Sequence, residues 1–95
     1  MSTTHAVSDE SVPRLLRGVR LVDSPAHGGT VLLAPERVLK PDSSAIAILK
    51  RCNGGATVAA IVDDLAANYN APRERILADV KGLLRSLADN QLLEL

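Results

Sequence analysis

At Pro41 the hydrophobic repeat of this chain changes period, and that change limits the folds open to it. Before Pro41 the apolar residues come in short runs cut by turn formers. Thr30-Val31-Leu32-Leu33-Ala34 lies between Gly28-Gly29 and Pro35, which suits a buried strand. Ala34-Pro35-Glu36-Arg37 predicts a type I reversal, because proline pre-sets φ for its second position. Arg37-Val38-Leu39-Lys40 is then a third short strand, stopped by Pro41. The first strand is expected from Leu15. Leu15, Val19 and Leu21 fall on one face and Arg14, Leu16, Arg20 and Val22 on the other, ahead of a loop from Asp23 to Gly29.

After Pro41 the repeat is helical. Asp42, Ser43 or Ser44 can cap a first helix whose apolar face is Ala45, Ile48, Leu49 and Cys52, ended by Asn53-Gly54-Gly55. Thr57 caps a second, with Val58, Ile61, Val62, Leu65, Ala66 and Tyr69 inward and Asp63, Asp64 and Asn68 outward. Pro72 opens a third and longest helix with the stripe Ile76, Leu77, Val80, Leu83, Leu84 and Leu87. Leu92 and Leu93 fold back or add a final short strand. Three antiparallel strands followed by three helices make an α+β domain, with helices covering one face of a small sheet. In a chain of 95 residues this is one domain, expected over 13–95 behind a mobile, polar tail at 1–12.

The chemistry that catalysis needs is missing. His5 and His27 have no second ligand at metal spacing, so no metal site is expected. Cys52, the single cysteine, lies on an apolar helix face and reads as a small buried hydrophobe. Asp63 and Asp64 are adjacent on a helix, so they diverge by about 100° and form a solvated face, not a carboxylate pair. Neither Gly28-Gly29 nor Gly54-Gly55 carries a phosphate-loop pattern. The chain is read as a binding module with no enzymatic activity and no cofactor of its own.

Composition narrows what it binds. Eleven Lys and Arg balance eleven Asp and Glu, and Tyr69 is the only aromatic residue. Nucleic-acid readers normally need a basic excess or rings for stacking, and no basic amphipathic segment marks a lipid surface. No apolar run approaches the roughly 18 residues of a membrane span, and the N-terminus lacks a signal-peptide pattern. With one cysteine, the expected location is the cytoplasm.

Two surfaces remain. Helix, short turn and longer helix outline a helix-turn-helix with the strands as a wing, so a winged-helix DNA-binding regulator is the alternative reading. Its base-facing stretch would be Pro72-Arg73-Glu74-Arg75, where Glu74 and the neutral balance oppose phosphate binding. The other surface is an edge of the sheet, to which an extended peptide can add as a further strand. Val38, Leu39 and Lys40 lie on such an edge, and the same residues can serve as core. A second copy of the chain can also pair there, giving a homodimer or a strand-exchanged form.

Arg17-Gly18-Val19-Arg20-Leu21, then Val31-Leu32-Leu33-Ala34-Pro35-Glu36-Arg37-Val38-Leu39, then Ile48-Leu49 with Cys52-Asn53-Gly54 and Thr57-Val58 with Ile61-Val62 resemble the pyrroloquinoline quinone biosynthesis protein D (PqqD) family. The resemblance spans Pro13 to Leu95, with Leu32 to Leu39 its most specific part. The chain departs from the family pattern at Thr30, where tryptophan is frequent, and at Asn90-Gln91, where glycine is expected. The resemblance implies a winged-helix-like peptide-recognition domain. It would act as a peptide chaperone, binding the ribosomally made precursor peptide of pyrroloquinoline quinone and presenting it to a radical S-adenosylmethionine enzyme. The iron–sulfur clusters belong to that enzyme. The resemblance further implies a peptide lying along Arg37, Val38, Leu39 and Lys40 and against Ile76, Val80, Lys81, Leu84 and Arg85.

Overall fold

A computed structural model of the chain describes residues 7–95. In order they form β1 (Arg14–Leu15), β2 (Arg20–Ser24), a 3₁₀ turn at Pro25–His27, β3 (Gly29–Ala34), β4 (Arg37–Leu39), α1 (Ser43–Leu49), α2 (Val58–Asn68), α3 (Arg73–Asp89) and β5 (Leu93–Glu94). The three-stranded antiparallel sheet has the order β2-β3-β4, and the three helices follow it in sequence, as the change of period at Pro41 predicts.

The stretch expected as one first strand is two. Gly18 takes φ +86°, and the Val19 N–H donates to the Leu16 carbonyl, so the chain turns between Leu15 and Arg20. Glycine accepts that left-handed conformation without a Cβ clash. Only Arg20–Ser24 enters the sheet. Arg14–Leu15 instead pairs with β5 in a separate two-stranded ribbon that brings the two ends of the domain together. The loop after β2 is shorter than the turn formers suggest, since Asp23 and Ser24 pair with Thr30 and Gly29. The reversal at Pro35-Glu36 also differs from expectation. Glu36 has φ +62°, which follows the type II pattern of proline and then a positive-φ residue, not type I.

The helix caps stand where the residue types place them. The carboxylate of Asp42 accepts from the Ala45 N–H at 2.8 Å, and the hydroxyl of Thr57 accepts from Ala60 at 3.1 Å. Helix α1 is shorter than its apolar face implies. After Leu49 it tightens into i→i+3 turns that carry the chain to Cys52, which is still buried.

One apolar core joins these elements. Leu32 of β3 and Val19 pack with Ile48 and Leu49 of α1, Val58, Ile61, Val62 and Leu65 of α2, Val80, Leu84 and Leu87 of α3, and Leu92 and Leu93. Of the segment read as tail, residues 1–6, with His5, lie outside the described residues. Residues 7–12 lie against α2: the carbonyls of Ser11 and Asp9 accept from the Val58 and Ala59 N–H groups at 2.8 and 2.9 Å, satisfying donors that the first helical turn leaves open. The Asp9 carboxylate also meets Lys81 of α3 at 2.8 Å.

Candidate peptide-binding groove

Strand β4 is an edge of the sheet, and its register fixes which of its backbone groups are open. Ala34 and Arg37 flank the two-residue turn, followed by the pairs Leu33–Val38 and Leu32–Leu39. In a two-residue hairpin the flanking pair exchanges hydrogen bonds and the next pair does not. Val38 is therefore in a non-bonded pair, and its N–H and C=O point away from β3. Its side chain is 49 % exposed, whereas Leu39 is half-buried against the core. The next outward position, Lys40, is exposed and is followed by Pro41, which has no N–H to donate.

Helix α3 meets this edge at its C-terminal end. The Arg37 guanidinium donates to the Asn90 carbonyl at 3.1 Å, tying the start of β4 to the end of α3. At the other end, Ser44 in the first turn of α1 faces Ile76, Asp79 and Val80 across a cavity of about 190 Å³. Ile48 of α1, Leu65 and Tyr69 from the end of α2, and Ala71 complete its walls. Tyr69, expected on the inward stripe, is 51 % exposed at this rim.

The candidate residues on α3 divide between two faces. At about 100° per residue, Ile76, Asp79, Val80, Leu83 and Leu87 share one arc, and its first three members line the cavity opposite Ser44 and Ile48 of α1. Lys81 sits about 140° from Ile76, and Arg85 about 180°. The structure agrees with that geometry, since Lys81 reaches the N-terminal segment through Asp9 and Arg85 is exposed. Val80 and Leu84 are 0 % exposed: Val80 forms the floor of the cavity and Leu84 is core. Sequence reasoning did not single out Asp79, which lines the cavity with Ile76. An apolar stripe carries no signal for a polar residue at its margin.

The remaining polar groups have local partners. Asp63 bonds Arg73 at 2.8 Å and Asp64 bonds Arg51 at 2.5 Å, so the two carboxylates diverge to different elements. The Asp63 pair holds one of the two arginines that a DNA-facing helix would need. His27 is exposed, with Nδ1 2.7 Å from the Ser24 hydroxyl. Among the described residues no three His, Cys, Asp or Glu side chains cluster as metal ligands. The Cys52 thiol donates to the Ile48 carbonyl at 3.3 Å, and burial pushes its pKa up to about 12. It stays protonated near neutrality and is a poor nucleophile. The Lys81 ammonium holds the Asp9 carboxyl below its usual range, by hydrogen bond and charge.

A family model described as coenzyme PQQ synthesis protein D (PqqD) matches residues 29–93. A protein of Rhodopseudomonas palustris (strain HaA2) named PqqA binding protein is 46 % identical over 94 residues, covering 98 % of this chain and 92 % of its own length. The solution NMR structure of the PqqD truncation of Methylobacterium extorquens PqqCD is 42 % identical. It covers 95 % of this chain and 96 % of that one, with a TM-score of 0.80, and is described as a functional, stand-alone recognition element for ribosomally synthesized and post-translationally modified peptides. Lasso peptide synthetase B1, solved with a leader peptide, shares the fold at a TM-score of 0.75 and 22 % identity, covering 90 % of this chain and all of its own. With the PqqD model matched from β3 through all three helices, and a near-full-length relative at 46 % identity, this chain belongs to the PqqD family.

Proposed function

We propose that this protein binds the precursor peptide of pyrroloquinoline quinone as an added strand on β4 and presents it to a radical S-adenosylmethionine enzyme. The observation that carries the reading is the open N–H and C=O of Val38 on an edge strand whose first residue, Arg37, bonds the end of α3. The relative named PqqA binding protein and the solved recognition element support the same use. Arg37, Val38, Leu39 and Lys40 supply the strand side, and Ile76 and Leu83 the helix side. Val80 and Leu84 support that wall from beneath, while Lys81 and Arg85 lie off it.

Holding the peptide is a presentation mechanism: a tethered segment reaches the enzyme at high effective concentration without any new chemistry here. Action beside that enzyme in the cytoplasm is part of the proposal. For the described residues, no helix is long and apolar enough to cross a membrane.

The test is Val38→Pro, which removes the outward donor and leaves the bonds of β4 to β3 intact. Titration with synthetic precursor peptide is expected to show at least tenfold weaker binding with the melting temperature nearly unchanged. Wild-type affinity in a folded Val38→Pro variant would refute strand addition.

A further inference from the structure

Strand pairing leaves one question open. The β4 edge offers the donor–acceptor pair of Val38 and ends its ladder at Pro41, so main-chain hydrogen bonds do not determine which peptide residue sits there. Register has to come from side chains. The chain that continues β4 through Pro41 leads within a few residues to Ser44, which lines the cavity between α1, α2 and α3. A peptide paired with Val38 and extended in that direction would approach the same cavity.

The cavity is built for one apolar group. An apolar protein cavity of about 150 Å³ stays dry and takes up benzene, so the roughly 190 Å³ here suffices for a phenyl or branched aliphatic side chain. Its interior is Ile48, Leu65, Ile76 and Val80. At the rim, Asp79 is exposed and makes no ion pair or hydrogen bond among the described residues, whereas Asp9, Asp63, Asp64 and Glu94 each have a cation. A free carboxylate beside an apolar recess complements a cation placed next to an apolar side chain.

Resting on the peptide-binding reading, we infer that this cavity is the register-setting anchor of the groove. It takes one aromatic or branched side chain of the peptide, and Asp79 takes the charge of a neighbouring Lys or Arg. Asp79 acts on binding alone.

The full chain, with isoleucine δ-methyl labels, is titrated with synthetic precursor peptide. The Ile48 and Ile76 methyl signals are expected to shift on binding. Ala71→Phe, which fills the recess, and Asp79→Lys are each expected to weaken the peptide about tenfold or more with unchanged melting temperature. An alanine scan of the peptide should find one apolar residue whose loss matters tenfold in the wild type and under twofold in Ala71→Phe. Reversing the adjacent peptide cation to Glu should restore binding to Asp79→Lys. Should Ala71→Phe fail to fold, that charge swap at an exposed position and competition by benzene alone still decide the matter.

If the peptide binds both variants within twofold and the two methyl signals stay still, the anchor is refuted. In that case, loss of binding in Val38→Pro would leave strand addition standing. If the peptide does not bind the wild type, both readings fall together.

Discussion

Cys52 and Leu84 show how burial assigns a role to a side chain. Cys52 is 5 % exposed, and burial pushes its thiol pKa up to about 12 because the thiolate is cut off from water. It should therefore resist a disulfide reagent at pH 8 in the native protein and react fully in denaturant. The sign of the linkage follows from the raised value. The unfolded thiol ionises near 9 while the folded one stays protonated, so its stability contribution is whole below pH 9 and is lost as pH rises toward 12. Unfolding free energies of wild type and Cys52→Ala, from denaturant titrations, should converge over that window by about 1 kcal/mol per pH unit. Leu84 has no exposed surface, and truncating a buried leucine costs about 2–5 kcal/mol. Leu84→Ala should lower the unfolding midpoint accordingly, yet bind peptide within a few-fold of wild type wherever it remains folded. A tenfold loss of affinity in the folded variant would mean that the groove depends on this core position.

At the scale of elements, the end of α3 closes on a residue type that its backbone disfavours. Gln91 has φ +60°. Its N–H bonds the Ala88 carbonyl, and the Leu92 N–H bonds the Leu87 carbonyl at 2.9 Å. That is a Schellman closure, with Leu92 packed back toward Leu87, and it normally uses glycine at the left-handed position. The strain of a non-glycine residue there is of order 1–2 kcal/mol, partly offset because glycine has more entropy to lose. Gln91→Gly should therefore gain roughly 0.5–1 kcal/mol, seen as a rise of a few degrees in melting temperature. An unchanged or lower melting point would show that the Gln91 side chain contributes more than its backbone costs. The closure matters to the groove because it places the Asn90 carbonyl that Arg37 bonds.

Over the whole molecule, the β1–β5 ribbon closes the frame of the domain, with Arg14 and Glu94 in an ion pair. Exposed pairs of this kind contribute little on their own, so the frame is held by its apolar core. A ligand that binds only the folded frame stabilises it by mass action. At one hundred times its dissociation constant, the precursor peptide should add about 2.7 kcal/mol. For a domain of this size that corresponds to a rise of more than 10 °C in melting temperature. A calorimetric scan with excess peptide and no upward shift would count against binding to this state. A second copy of the chain on the β4 edge would compete with the peptide, and sedimentation with and without peptide would reveal it.

The sequence by itself left the first cap open among Asp42, Ser43 and Ser44, but determined the α+β class, the run of strands ahead of the helices, Thr57 as the second cap and the burial of Cys52. Each follows from local chemistry: repeat period, a capping oxygen, or a cysteine among apolar neighbours. The Leu32–Leu39 run also carried the family resemblance. What the tertiary structure decided was orientation. Val38 and Leu39 are both apolar, and only the hairpin register shows that Val38 opens outward while Leu39 feeds the core. On α3, a six-residue stripe spans more than one contact. Packing against α2 buries Val80 and Leu84 in the core, Lys81 reaches Asp9, and Ile76 and Asp79 line the cavity beside α1. A helical repeat records how wide an apolar face is; which neighbour covers each margin is set by contacts between residues far apart in the chain.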